Sequence, residues 1–390
     1  MRKKLCSILL SVATAVSLCL PVTAQAAGSG PQGVTDTTWS SATFFQWMAN
    51  NSSLSSDVRH DAQQAYAILH GNCPASLQAD EVVSYSAQMR LVDLSDDDSP
   101  FSLLNLSDTI DYIDYANKLR TSDAGVDKLD VSPTLMAMAE LDVNYNYKNR
   151  GLMHPETFDV GENLAGGYSS PESAFNAWYW TEKQNYASDP TWNNNTGHYL
   201  NIANGSYGTT GFASCYAGMY GSTMGQTFAF PGEFASVSAD QFRSLLKEFF
   251  GTFDIMYRLY NPSSGEHLFT KDQNEVMTLT SRYYWNYEGV AWYAPKKSSK
   301  PVYRLFNPSS GEHLYTMDAN ERRTLAAAPN NWRDEGIAWY SDGSVSLVRL
   351  YNAKASGFKH HYSGDSNEIN TLTTRNGWKN EGIAWYGLAK

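Results

Sequence analysis

The sequence predicts an α+β protein: a layered α/β sandwich with a helical N-terminal extension before it and a β-rich, pseudo-threefold repeat module after it. Three observations carry that expectation. Apolar residues recur at helical spacing between Trp39 and Leu141, strand-like alternation follows near Thr210, and one phrase of sequence occurs three times from Tyr257 onward. A chain of 390 residues has room for two or three separate cores.

The N-terminus has the pattern of an export signal. Arg2, Lys3 and Lys4 precede an apolar run from Leu5 to Leu20, and Ala24, Gln25 and Ala26 then form an A-x-A exit. We expect a signal peptide over residues 1–26, cleaved after Ala26. A membrane anchor would need about 20 apolar residues and no small-residue exit. Leu18 stands where lipid attachment at Cys19 would want a small residue. The mature protein is therefore expected to be secreted and soluble. It ends in "WYGLAK" without an apolar tail, so attachment to a cell surface is expected to be noncovalent.

Cleavage removes three positive charges and no negative ones, moving the formal net charge from −11 to −14. That balance reads against nucleic acid and anionic membranes as partners, since both require basic patches. Of the four cysteines, Cys6 and Cys19 leave with the signal. Cys73 and Cys215 remain, and an oxidising compartment would allow them to form one disulfide; two buried thiols are the alternative.

Residues 27–104 read as a helical extension, opening with a Gly, Ser, Thr and Pro rich lead. Phe44, Phe45, Trp47 and Met48 then cluster on one stripe, and Ala62, Ala65, Ala67 and Leu69 lie within helical reach of one another. The acidic run Asp93, Asp96, Asp97 and Asp98 lacks the glycine and closing glutamate of an EF-hand and reads as a solvated loop. Residues 105–232 form the sandwich. Ser107 and Asp108 are candidate caps for a helix carrying Ile110, Ile113 and Leu119 up to Gly125. Ser132 and Pro133 start a second helix, and a third covers Pro171 to Tyr186, with Trp178, Trp180 and Tyr186 read as core. "TGFASCYAGMYG" and "QTFAFPG" alternate as half-buried strands do.

Residues 233–253 read as a connector and 254–390 as the repeat module. "YRLYNPSSGEHLFT" at Tyr257 returns as "YRLFNPSSGEHLYT" at Tyr303 and as "VRLYNAKASGFKHHYS" at Val348. Each unit closes on one phrase, "NYEGVAWYA", "RDEGIAWYS" or "KNEGIAWYG", and a short helix is expected near Asn274, Asn320 and Asn367. One unit cannot bury its apolar face alone, so three must pack together, and a β-trefoil-like closure is the expectation.

The chain has eight histidines, few enough for each to be weighed. His154 stands eight residues before Glu162, and Glu182 sixteen before His198. Two imidazoles and two carboxylates are ligand-grade groups for zinc or another divalent ion and also acid/base-grade groups. No two of them lie at a chelating i, i+4 interval, and a hydrogen-bonded polar network is the plain alternative. "GENLAGG", an aromatic three residues before Glu182 with Tyr186 four after it, and "GHYLNI" resemble successive signature elements of the CAP (cysteine-rich secretory, antigen 5, pathogenesis-related 1) superfamily, in particular its secreted bacterial members. "NKLRTSDAGVDKLDVSPTLMAMA" resembles the opening helices of that family. The resemblance implies an α-β-α sandwich in which His154, Glu162, Glu182 and His198 fall on the cavity tetrad and face one cleft that can hold a divalent metal. Its W-x-x-E spacing is one residue longer here, from Trp178 to Glu182, and the many disulfides of eukaryotic relatives are absent.

No G-x-S-x-G and no HExxH is present. The expected role is a binding protein: the cleft takes a small or lipidic ligand or a protein partner, and the repeats attach to cell-wall or host glycans. The alternative is a metal-dependent, peptidase-like hydrolase with Glu162 or Glu182 as general base. The repeats resemble an uncharacterised aromatic repeat appended to secreted bacterial hydrolases and surface proteins. Trp292, Trp339 and Trp385 are expected in its core. Tyr293, Tyr340 and Tyr386 are the candidates for stacking on sugars, with His267, His313 and His360 as donors to hydroxyls.

Overall fold

The computed structural model describes residues 38–193, 195–330, 332–355 and 358–388, so the expected signal peptide lies outside it. The described chain divides into two compact units, Thr38–Glu248 and a second beginning at Phe249. The first unit includes the extension: α1 (Ser41–Asn50), α2 (Ser56–Leu69) and α3 (Tyr85–Met89). Then come α4 (Leu103–Leu119), β1 (Asp130–Val131), α5 (Pro133–Asn149), β2 (Gly161–Gly166), α6 (Pro171–Phe175), α7 (Glu182–Ser188), α8 (Gly197–Ala203), β3 (Thr209–Cys215) and β4 (Thr223–Ala229). A last helix, α9 (Ala239–Phe250), runs across the division.

Local chemistry sets these bounds. Ser132 caps α5 by accepting from the Leu135 amide, and Pro133 fills its first turn, where no N–H is needed. The cap of α4 lies five residues before Ser107, the earlier of the two candidates. Ser102 is the cap, accepting from the Asn105 amide, while the Ser107 hydroxyl donates back to the Leu104 carbonyl inside the helix.

The sheet runs β1-β3-β4-β2, with β1 parallel to β3 and the other pairs antiparallel. Alternation along β3 covers both of its faces. Ala213 and Cys215 pack against Ala139, Val143 and Leu164, whereas Phe212 stacks on Tyr112 of α4 at 4.6 Å. α5 lies so close to the sheet that a Cβ on Gly211 would stand 2.2 Å from the Leu135 carbonyl carbon. Only glycine fits there.

α5 is buried on nearly every face, including Glu140, Asp142, Asn144 and Asn146. Buried polar groups require partners, and the extension supplies most of them. Ser41 donates to Glu140 at 2.7 Å, Gln88 to Asp142 at 2.5 Å, and Asn144 reaches the Leu91 carbonyl at 3.1 Å. Asp61 of α2 accepts from the Ser132 hydroxyl and the Thr134 amide at the start of α5. The extension thus belongs to the core of the first unit.

The expected disulfide is not formed: both cysteines are free. Cys215 is fully buried in the strand that packs on Ala139 and Val143, whereas Cys73 sits in a turn after α2 with its sulfur on the Pro74 carbonyl. A thiol in a sheet interior is out of reach of a partner held in a surface turn.

The second unit builds one arrangement three times. The first repeat is β5 (Phe253–Tyr260), β6 (His267–Thr270), α10 (Gln273–Arg282) and β7 (Asn286–Pro295). The second is β8 (Pro301–Phe306), β9 (His313–Thr316), α11 (Ala319–Ala326) and β10 (Arg333–Tyr340). The third is β11 (Val345–Tyr351), β12 (His360–Ser363), α12 (Ser366–Arg375) and β13 (Lys379–Gly387). Each forms an antiparallel three-stranded sheet with its opening strand in the centre. Asp272, Asp318 and Asp365 cap the helices.

Trp292, Trp339 and Trp385 meet at the centre with ring centroids 5.3 to 5.6 Å apart, each at most 1% exposed. Between repeats, Arg304 pairs with Glu275, Arg349 with Glu321 and Arg258 with Glu368. The Tyr315 hydroxyl bonds the backbone of Phe269, and the Tyr362 hydroxyl does the same to Tyr315. The β-trefoil-like closure is not observed. Among the described residues the three sheets are separate, joined by side chains and by single backbone contacts such as the Leu388 amide to the Tyr293 carbonyl.

Candidate functional site

The cleft of the first unit is assembled from four segments. Glu162 is the second residue of β2, Glu182 opens α7, His198 lies in the first turn of α8, and His154 sits on the strap between α5 and β2. His154 Nδ1 is 2.8 Å from Glu162 Oε2, and His198 Nδ1 is 2.6 Å from Glu182 Oε1. Glu182 also accepts the Tyr199 amide at 3.1 Å, which fixes it to the start of α8. The four candidates therefore form two His–Glu pairs, with the two imidazole centroids 6.5 Å apart.

The extra residue between Trp178 and Glu182 is absorbed locally. Residues Asn176–Thr181 form a π-helical turn, wider than the α-helix by one residue. Trp178 stays in the core, 2% exposed, with its indole near the Leu164 carbonyl, and Glu182 still reaches His198.

Both histidines and Glu162 line a cavity of about 490 Å³ together with Asp142, Glu156, Asn193 and Asn201. Trp192 also lines it and is 72% exposed. The extension braces this wall: the Ala79 and Val83 amides donate to the Thr157 and Pro155 carbonyls, each at 2.8 Å. Glu156, on the same strap, has a left-handed backbone with φ 51°, which is costly for a side chain other than glycine.

Behind Glu162 lies Asp142, buried and absent from the sequence-derived set. Burial, with the Glu162 charge beside it, pushes the Asp142 carboxyl well above the usual range; burial raises Glu162 to about 8. The hydrogen bond between them favours the proton on Asp142. Burial also lowers His154 below the ordinary histidine value, so its ring is neutral at neutral pH. A chain thus runs from the buried Gln88 through Asp142 and Glu162 to the exposed ring of His154. Nothing in the spacing of Gln88 or Asp142 could reveal it.

The fit to a metal can be tested directly. Two imidazoles on one tetrahedral zinc, with bonds of about 2.0–2.1 Å, place their centroids roughly 5 Å apart. The observed separation is 6.5 Å, and among the described residues no group of three or more His, Cys, Asp or Glu side chains is gathered closely enough to hold an ion. As arranged, the tetrad is a pair of hydrogen-bonded dyads and does not fit a resident zinc.

In the repeats the sugar-stacking candidates divide. Tyr293 is 2% exposed with Phe253 against its ring, so it cannot offer a face, and the expectation fails there because Phe253, itself packed on Phe249, belongs to the repeat unit and covers it. Tyr340 is half-buried and Tyr386 exposed. His313 and His360 bond Glu266 and Glu312 of the preceding repeat at 2.8 Å, which commits one ring nitrogen of each to holding repeats together. His267 has no such glutamate, because Lys359 stands there in the third repeat. It packs edge-on against His361, and burial lowers its pKa to about 3.

Residues 113–228 match the model of the cysteine-rich secretory protein family (CAP), and residues 255–388 match that of a domain of unknown function, DUF5648. A comparison with curated proteins found no match. Among the described residues no helix is long and apolar enough to cross a membrane.

Proposed function

We propose that this is a secreted binding protein whose first unit captures a small or lipidic ligand or a protein partner in the His/Glu cleft, and whose repeats attach it to cell-wall or host glycans. The observation that carries the first part is the pair of His–Glu dyads on the wall of one open cavity of about 490 Å³, with an exposed Trp192 in its lining. Such a site offers an aromatic platform at Trp192, apolar patches at Phe158 and Val160, and a polar lining that includes both imidazoles and a buried carboxyl group. Each imidazole gives Nδ1 to its glutamate and keeps Nε2 for a ligand.

For the repeats, the exposed rings carry the reading. Tyr386 is 40% exposed, and Tyr283 and Tyr284 are 64% and 71% exposed. Tyr284 holds φ 60° where the third repeat places Gly377 at 71°, so a strained backbone is kept at an exposed tyrosine. Pull-down of the module, expressed from Phe249, on peptidoglycan, teichoic acid and mucin tests attachment. Retention lost in Tyr283→Ala/Tyr284→Gly supports it, and a folded module that none of the three retains sinks it.

The hydrolase reading keeps one favourable observation: Glu162, raised to about 8, is a protonated acid at neutral pH. It is a poor base there, which assigns any acid role to Glu162. Glu162→Gln separates the readings, because a hydrolase loses turnover while a binding cleft keeps its ligand.

A further inference from the structure

The first unit has a second concave site, away from the His/Glu cleft and formed by other residues. Tyr115 of α4, Ser170, Glu172 and Ser173 at the start of α6, and Asn176 and Trp180 of the π-helical turn enclose about 370 Å³. Trp180 was expected in the core and is instead 38% exposed. The turn that carries the additional residue presents this ring outward, and single π-turns of this kind recur at functional sites.

The ring is held in place from behind. Tyr179 meets Trp180 edge-on at 5.2 Å, and Lys183, itself paired with Asp123, stands 5.5 Å from the centroid. Tyr115 is likewise backed by Phe175, stacked at 5.5 Å. Both aromatic platforms are therefore fixed before any ligand arrives, which reduces the ordering cost of binding. The polar lining divides into two kinds. Ser170 and Ser173 satisfy one another in a capping box. The side chains of Glu172 and Asn176 and the Trp180 indole N–H make no hydrogen bond within the described protein, leaving an acceptor, an amide and a donor beside two rigid rings.

We propose that this pocket binds a pyranose ring of a saccharide. A sugar presents an apolar C–H face and an equatorial rim of hydroxyls, and the pocket presents the complement: the indole takes the face, and Glu172, Asn176 and the indole N–H take the rim. The volume accommodates one or two sugar rings, the mouth is open enough for a chain end, and nothing in the lining is apolar enough to favour a lipid tail. The site stands independently of the cleft and of the repeats, and gives the protein a saccharide contact in each of its two units.

The test uses the whole mature protein and saturation-transfer NMR, followed by calorimetry, with methyl glucoside, methyl mannoside, N-acetylglucosamine and the chitin trisaccharide as probes. At least one is expected to bind, with Trp180→Ala weakening it tenfold or more, Asn176→Ala and Glu172→Gln weakening it severalfold, and Trp180→Phe restoring part of the loss. Tyr284→Gly, in the repeats, and His198→Ala, in the cleft, are expected to leave this binding unchanged. Thermal melting guards against a folding defect in Trp180→Ala. The proposal is overturned if no probe binds, if Trp180→Ala binds as the parent does, if the loss follows Tyr284→Gly or His198→Ala, or if indole binds at Trp180 while every saccharide fails.

Discussion

Gln88 of the N-terminal extension donates its amide N–H to Asp142 of the central helix across 2.5 Å, in a contact that is 1% exposed on one side and 3% on the other. It is the start of the hydrogen-bonded chain that ends at His154. Gln88→Leu removes the donor and leaves a buried carboxyl with one partner fewer, which costs about 1–3 kcal/mol. Urea denaturation should show that loss, and the imidazole signals of His154 should move with it in NMR. A variant as stable as the parent, with His154 unmoved, would mean that the chain positions nothing.

Asp61 makes stability depend on pH in a stated direction. Burial raises its carboxyl from 3.8 to about 6, against the Thr134 amide and the Ser132 hydroxyl, which lower it. The folded state therefore holds this proton more tightly than the unfolded state does. Its contribution is complete below pH 4 and lost as pH rises through 6, by about 3 kcal/mol at most. Asp61→Asn should flatten that part of the profile. Equal slopes for variant and parent between pH 4 and 7 would contradict the assignment.

The sheet and α5 touch through a missing side chain. In Gly211→Ala the added methyl would stand 2.2 Å from the Leu135 carbonyl carbon, and both neighbours are backbone in packed elements. Overpacking of this kind costs 1–3 kcal/mol and occasionally more; the upper end, about 3 kcal/mol, is expected here. A melting temperature within a degree of the parent's would show that the helix can move aside.

The tyrosine chain between repeats is open at one place. Tyr315 and Tyr362 each place a hydroxyl on the backbone of the preceding repeat, but Phe269, at the equivalent position, has none to give. Phe269→Tyr should supply the missing bond to the Tyr362 backbone and add about 1 kcal/mol. Calorimetric melting of the module reads this gain, and a destabilised variant would show that the site is too tight for an oxygen.

Much of this was legible in the sequence because it is periodic or local. The three repeats, their short helices and the tryptophan core follow from similar phrases at nearly constant intervals. The four cleft residues were found through motif order. What escaped had no local signature. Asp142 and Gln88 are 54 positions apart and meet only because α3 folds onto α5. Tyr293 looked like its counterparts Tyr340 and Tyr386, yet it alone lies next to Phe253. Trp180 has the same residue type as Trp178, and which of them is buried depends on the winding of a single turn.

The salt bridge from Arg258 to Glu368, at 2.8 Å, joins the first repeat to the last, as Arg304–Glu275 and Arg349–Glu321 join neighbours at 2.9 Å. Copy number is thereby fixed. In an open-ended stack a unit can be gained or lost at either terminus with little harm to the others, whereas here a fourth copy would have no angular space and a second alone would leave two unmatched charged seams. Tandem duplication or deletion of a single unit is therefore closed to this module as a route of change, and variation must come from substitutions within a unit, as at Lys359, Phe269 and Tyr284.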